Sequence, residues 1–240
     1  MNYAVIFAGG TGTRMHNPIP KQFLEVQGKP VIIHTIEQFQ KHPLIDGISV
    51  VCLTSRLDEL RSLTVRYGLS KVKHIVPGAQ TGQQSIYEGL RVLYKDSQAP
   101  DGDIVLINDG VRPFVSQEII TRCIECVKVY GSAVTAAPVP DTIGLVDEET
   151  GEIFDIPDRK KCHALKAPQG FRLNEIVSAH HEAMKEDMYC FTNSAELFRH
   201  YGHKIYTVID MGVNFKITSP EDIECTRALL PKWLEGGEES

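Results

Sequence analysis

Near its start the chain runs Ala8-Gly9-Gly10-Thr11-Gly12-Thr13-Arg14-Met15, three glycines between an apolar stretch and a fixed cation. A tight turn needs one or two glycines. Three, closed by an arginine, suit a loop that wraps an anion. Glycine lets backbone N–H groups approach a phosphate closely, and the planar guanidinium of Arg14 can grip two phosphate oxygens at once. Lys21, in Pro20-Lys21-Gln22, adds a second cation close behind. The second chemistry-bearing cluster is Asn108-Asp109-Gly110-Val111-Arg112-Pro113. Its carboxylate can bind a metal or a hydroxyl. A dinucleotide loop is the rival reading of the glycines, but that fingerprint is G-x-G-x-x-G opening directly into a helix. Here Thr13-Arg14-Met15 follows Gly12 with no third spaced glycine, and Pro18 and Pro20 prevent a long helix from starting at the loop. The phosphate site of a helix N-terminus is therefore excluded.

Both clusters need a scaffold, and the pattern of the chain supplies one. Apolar runs predict strands at Tyr3-Ala8, Ile48-Leu53, His74-Val76, Ile104-Ile107 and Ser132-Val139. Between them, helical spacing predicts helices over Val31-Lys41, Arg56-Tyr67, Thr81-Tyr94 and Gln117-Tyr130, the last with Ser116 as N-cap. Continuous apolar strands between amphipathic helices mean βαβ units, a mostly parallel sheet and helices on both faces. In such α/β sheets ligands bind at the carboxyl ends of the strands. The glycine loop follows the first strand and NDGVRP ends the fourth. Beyond residue 139 the pattern breaks. DTIGLVDEETGEIFDIPDR alternates around an acidic turn, Asp147-Gly151, and reads as a β-hairpin arm over about residues 140–160. An inserted hairpin packs on something, and a second subunit is the simplest candidate. The end returns to strand (KIYTVI), loop and a helix over Glu221-Leu230, with a polar, fraying tail EGGEES. The expectation is one domain over residues 1–240.

Composition narrows the partners. The formal net charge is −6, which disfavours a nucleic-acid or anionic-membrane surface. Any phosphate must be held by a few placed cations. No apolar run reaches the roughly 20 residues of a membrane span, and the start reads at once as a core strand without a basic leader. The expectation is a cytoplasmic protein. Cys123 and Cys126 form a C-x-x-C, yet no second pair lies at zinc spacing. Two small residues one turn apart on a helix is the simpler reading. None of the histidines pairs with a Ser or Cys in a motif, and His180-His181 reads as a solvated helix end.

AGGTGTRM followed by PKQF resembles the glycine-rich signature of sugar-nucleotide pyrophosphorylases, and most closely the polyol-phosphate cytidylyltransferases that act on 2-C-methyl-D-erythritol 4-phosphate or ribitol 5-phosphate. The resemblance spans nearly the whole chain and recurs, in the family's order, at NDGVRP, VPDT, IPDR, APQ, FTNSA and NFKIT. It implies a Rossmann-like nucleotidyltransferase domain. It also implies a reaction in which a substrate phosphate oxygen attacks the α-phosphate of CTP and pyrophosphate leaves, with Mg²⁺ as cofactor. The work is placement and charge neutralisation. By resemblance Arg14 and Lys21 hold the triphosphate, and backbone groups from Ala8 and Gly9 through Gly10, Thr11, Gly12 and Thr13 enclose it. Gly78, Ala79, Gln80 and Ser85 fall at the base and ribose. Asp109 lies at the nucleotide, the polyol or the Mg²⁺, and no direct side-chain metal motif is otherwise present. Arg112, Thr142, Arg159, Thr192 and Lys216 match acceptor-binding residues, Arg159 and Lys216 also as catalytic cations. If the arm is exchanged in a homodimer, as in the family, Thr142 and Arg159 complete the neighbour's site.

The chain departs from the family pattern at Gln80, Gly82, Asn108 and Asn193. The loop and NDGVRPF lean toward the ribitol branch, with CDP-ribitol as product. The alternatives are the methylerythritol branch of isoprenoid biosynthesis and, in another class, a nucleotide-binding scaffold that has lost turnover. An oxidoreductase is opposed by the missing glycine and the prolines.

Overall fold

The computed structural model describes residues 1–10 and 19–236. Thr11, Gly12, Thr13 and Arg14 lie outside the described residues.

Seven strands form the central sheet: β1 (Asn2–Ala8), β4 (Gly47–Cys52), β5 (Val72–Pro77), β6 (Ile104–Asp109), β7 (Ser132–Pro138), β10 (His163–Arg172) and β11 (Thr207–Ile209). Their order is β11-β7-β10-β6-β1-β4-β5. All neighbours pair parallel except β10, which runs antiparallel to both β6 and β7. β2 (Glu25–Val26) and β3 (Lys29–Pro30) pair beside the sheet, and β8 (Leu145–Val146) and β9 (Ile153–Asp155) form the arm.

Alternation along the strands divides the core. Ala4, Ile6 and Ala8 of β1 join Ile104 and Leu106 of β6 on one face, while Tyr3 and Val5 join Val105 and Ile107 on the other. The first face packs on α1 (Val31–Lys41), α2 (Leu57–Arg66) and α4 (Gln117–Tyr130), through residues such as Ile36, Leu60 and Ile120. The second packs on α3 (Gly82–Asp96), α5 (Leu173–Lys185) and α6 (Ser194–His200), through Leu90, Ile176 and Phe198. A strand buried on both faces must be apolar at every position, which is why these runs read continuously.

Local chemistry fixes the helix ends near the site. Thr81 and Gln84 form a reciprocal capping box at the start of α3, worth about 1 kcal/mol. Ser116 caps α4 by accepting from Ile119 N, and Gly131 ends it at φ 84°, a left-handed position that favours glycine. The arm turn closes where Asp147 accepts from Thr150 N and Gly151 N donates to the Asp147 carbonyl.

The sequence reading needs three corrections. The last helix, α7, does not stop at Leu230 but runs Pro220–Gly236 with Pro231 inside it, because Leu230 and Trp233 pack with Phe114 in a third small core. KIYTVI forms a strand only over Thr207–Ile209. His180-His181 is not a solvated helix end. His180 lies mid-helix in α5 on the face of Ile176, Val177 and Ala183, and is 2% exposed.

Candidate active site

The glycine loop begins where β1 ends, beside the ends of β4 and β5. Gly9 and Gly78 approach so closely that a side chain on either would meet Ser85 Oγ at 3.2 Å. Ser85 is buried at the first turn of α3. Its hydroxyl donates to Thr81 O at 2.8 Å and accepts from Ala79 N at 3.0 Å. The result is a side-chain-free wall of backbone, with Ala79 and Gln80 exposed at its rim. Gln22, 1% exposed, bridges the loop's base by donating to Ala8 O at 2.7 Å and Gly10 O at 3.0 Å. PKQF therefore supplies a buried strut as well as a cation.

The second half of the site gathers around Asp109 at the end of β6. Lys216 Nζ lies 2.6 Å from one carboxylate oxygen, and Arg112 Nε donates to the other at 2.8 Å. Burial pushes the Asp109 carboxyl up, but Lys216 first and Arg112 second more than reverse that and hold it below the usual carboxylate range. Arg112 also donates to the Asn214 carbonyl at 3.2 Å, and Ile217 N to the Val111 carbonyl at 3.0 Å. Lys21 Nζ donates to the Ile217 carbonyl at 2.8 Å. The 214–217 segment thus joins the lysine assigned to the nucleotide with the lysine assigned to the acceptor, across 196 residues of chain.

A cavity of about 460 Å³ opens on this group. Asp109, Arg112, Lys166, Thr192 and Lys216 line it, with Phe7, Ile107 and Phe191 among its apolar walls. Thr192 is exposed, and its N–H and hydroxyl both donate to Glu196, at 2.9 and 2.7 Å. Those bonds hold the Glu196 carboxyl low. Asn193 lines the cavity and caps α6 by accepting from Glu196 N at 3.0 Å. His180 forms part of the inner wall, and burial, then His181, pushes its imidazole down to about 3.

Of the four residues read as a phosphate clamp, one chain brings only Thr192 and Lys216 to the cavity. Thr142 and Arg159 stand exposed at the root of the arm, where Arg159 donates to Pro140 O at 2.8 Å. Asn108 is fully buried and donates to Asp109 O at 2.9 Å, so it supports the strand end from within. Sequence reasoning missed Gln22, Lys166, Gln169 and Asn214. Of these Gln22 and Asn214 each stood within a motif already singled out for its lysine, and Gln169 stood within APQ; Lys166 had no such signal.

Among the described residues no group of three or more His, Cys, Asp or Glu side chains could hold a metal ion. Among the described residues Asp109 is the one acidic residue lining the cavity. A single carboxylate completed by substrate phosphate oxygens is a donor set that Mg²⁺ accepts. Cys123 and Cys126 are ordinary helix residues. Burial pushes the Cys123 thiol up to about 12 and raises that of Cys126.

Residues 2–232 match the family model described as "IspD: 2-C-methyl-D-erythritol 4-phosphate cytidylyltransferase". The chain is 44% identical over 234 residues to a ribitol-5-phosphate cytidylyltransferase from Vibrio parahaemolyticus, covering 96% of each chain. It is 37% identical to a 2-C-methyl-D-erythritol 4-phosphate cytidylyltransferase from Clostridium acetobutylicum, covering 97% of this chain and 98% of that one. Its fold superposes on the crystal structure of 4-diphosphocytidyl-2C-methyl-D-erythritol synthase from Anaerococcus prevotii with a TM-score of 0.81, at 27% identity over 96% of each chain.

Proposed function

Since the chain belongs to the IspD cytidylyltransferase family, we propose that it transfers the cytidylyl group of CTP to ribitol 5-phosphate, forming CDP-ribitol and releasing pyrophosphate. The observation that carries the acceptor is the higher identity to the ribitol enzyme, 44%, than to the methylerythritol enzyme, 37%. The reaction consumes CTP, and the proposal includes a cytoplasmic location.

An oxygen of the acceptor phosphate attacks the α-phosphorus of CTP, and the bond to the β-bridging oxygen breaks as pyrophosphate leaves. The protein's part is to bring two polyanions together and neutralise them. The backbone wall of Gly9, Gly78 and Ala79 receives the base. Lys21 faces the triphosphate, a role that the family resemblance gives to Arg14 as well. Lys216 and Arg112, held by Asp109, face the acceptor. Mg²⁺ would be held by Asp109 and phosphate oxygens, and its chemistry there is charge neutralisation at the α-phosphate.

The arm belongs to the proposal too. Leu145, Val146, Ile153, Phe154 and Ile156 expose large apolar side chains along it, more than an isolated two-stranded hairpin keeps in water. A second copy of the chain covers them, and Arg159 and Thr142 enter that copy's acceptor site.

The test is pyrophosphate release with CTP and Mg²⁺ against ribitol 5-phosphate, 2-C-methyl-D-erythritol 4-phosphate and the other nucleoside triphosphates. Preferred turnover of CTP with ribitol 5-phosphate is expected. Faster turnover of the methylerythritol substrate would replace the acceptor, and no release with any pair would overturn the enzyme. Mixing the inactive variants Arg159→Ala and Lys216→Ala tests the arm. Exchanged arms restore activity that neither variant has alone, and a mixture as inactive as its parts would refute the exchange.

A further inference from the structure

Strand β10 leaves its ladder between Leu165 and Gln169, where its register against β7 shifts. Each of the three carbonyls in that excursion is taken by a buried side chain. Gln169 Nε2 donates to Lys166 O at 3.3 Å, Asn214 Nδ2 to Ala167 O at 2.8 Å, and Thr135 Oγ1 to Pro168 O at 2.7 Å. Gln169 also accepts the Ala195 N–H at 3.1 Å, which ties the excursion to α6. Backbone held at three consecutive residues is fixed from several directions at once. A bulge beside a site re-aims a side chain.

The side chain presented here is Lys166. It is half-buried and lines the 460 Å³ cavity. Among the described residues no hydrogen bond or ion pair engages its ammonium, whereas the other two cations of the wall, Arg112 and Lys216, are both engaged by Asp109. A phosphate entering the cavity competes with Asp109 for those two. It has no competitor for Lys166. In a partly enclosed pocket a cation without a counter-ion gains most from an anion that arrives with the ligand.

We infer that Lys166 is an anion anchor of the acceptor site, binding the phosphate monoester of the polyol through a charge-assisted hydrogen bond. This rests on the acceptor reading above. The bland alternative is a lysine solvated at the pocket mouth, and the two differ in what Lys166→Gln does.

The first measurement is binding of inorganic phosphate to the CTP-loaded protein, followed by the amide signals of Gln169, Thr192 and Lys216. Lys166→Gln should weaken it by about tenfold, the size of one charge-assisted hydrogen bond. Lys166→Arg should restore most of the affinity. In turnover, Lys166→Gln should raise KM for ribitol 5-phosphate by a similar factor, with kcat and KM for CTP within about twofold of wild type. Phosphate binding and acceptor KM unchanged in Lys166→Gln would overturn the anchor. So would an equal rise in KM for CTP, or a wild-type protein that binds no phosphate at those signals. If ribitol 5-phosphate is not turned over while phosphate binding still depends on Lys166, the acceptor assignment fails and the anchor stands.

Discussion

The two halves of the site are built by opposite means. On the side of β1, β4 and β5, the proposed nucleotide half is defined by what is missing: Gly9 and Gly78 leave backbone bare, and a side chain on either would crowd Ser85 Oγ at 3.2 Å. On the side of β6 and β10, the proposed acceptor half is made of long charged side chains: Arg112 and Lys216 are paired with one carboxylate, and Lys166 lines the same cavity. A nucleobase is flat and offers a fixed edge, which rigid backbone reads well. A flexible polyol phosphate offers charge, which side chains meet. The halves touch where Lys21 donates to the Ile217 carbonyl, next to Lys216.

Asp109→Ala tests the contrast most severely. It releases both Lys216 and Arg112 and removes the one carboxylate that the described residues place on the cavity wall. A loss of about 10²-fold or more in kcat/KM is expected, read by pyrophosphate release. A loss confined to KM for CTP would mean that Asp109 belongs to the nucleotide half. Its carboxyl is held low, so its stabilising pairs are complete above the unfolded value of about 3.9. They are lost only as pH falls through the lower folded value.

His180 predicts that the acceptor half loosens first in mild acid. Its imidazole is neutral when folded, with a value pushed down to about 3, against about 6.5 unfolded. A depressed value favours the fold above about pH 6.5. The unfolded chain binds the proton more readily below that, so stability declines between about pH 6.5 and 3, by several kcal/mol at most. Amide hydrogen exchange should show α5, α6 and β10 losing protection before β4 and β5. His180→Leu should flatten that decline in the denaturant midpoint. Equal loosening of both halves would erase the distinction.

A smaller effect is expected from Gly78→Ala. The added methyl meets Ser85 Oγ at 3.2 Å and the Gly9 backbone at 3.4 Å. KM for CTP should rise about tenfold, as for a displaced hydrogen bond, with KM for the acceptor unchanged. A matching rise in acceptor KM would show that the halves are not separately built.

The backbone-built half was also the half legible in the sequence. Its loop, strand and helix start are local, so Gly9 and Ser85 announce themselves within a dozen residues of their elements, while the Thr81 capping box emerged from the structure. Asp109 was legible for the same reason, standing at the end of an apolar strand. The charged half was legible only in part. Lys216 stood out through NFKIT, but Lys166 sits in HALKAPQGF with no spacing to mark it. The antiparallel strand that carries it gave no helical or βαβ signal. His180 was misread because adjacent histidines suggest a polar turn, and only the packing of α5 against α3 shows which of the two is inside.

By itself the sequence determined the alternation of strands and helices, and the strand ends at which the glycine run and NDGVRP stand. Hydrophobic period and glycine placement are local properties, and they act over a few residues. The tertiary structure alone decided that β10 runs antiparallel between β6 and β7, and that residues 109, 112, 166, 192 and 216 share one cavity. It also decided that Thr142 and Arg159 stand away from that cavity in a single chain. Those facts depend on which distant segments pair and on side chains meeting across a hundred residues or more, and no local pattern encodes such meetings.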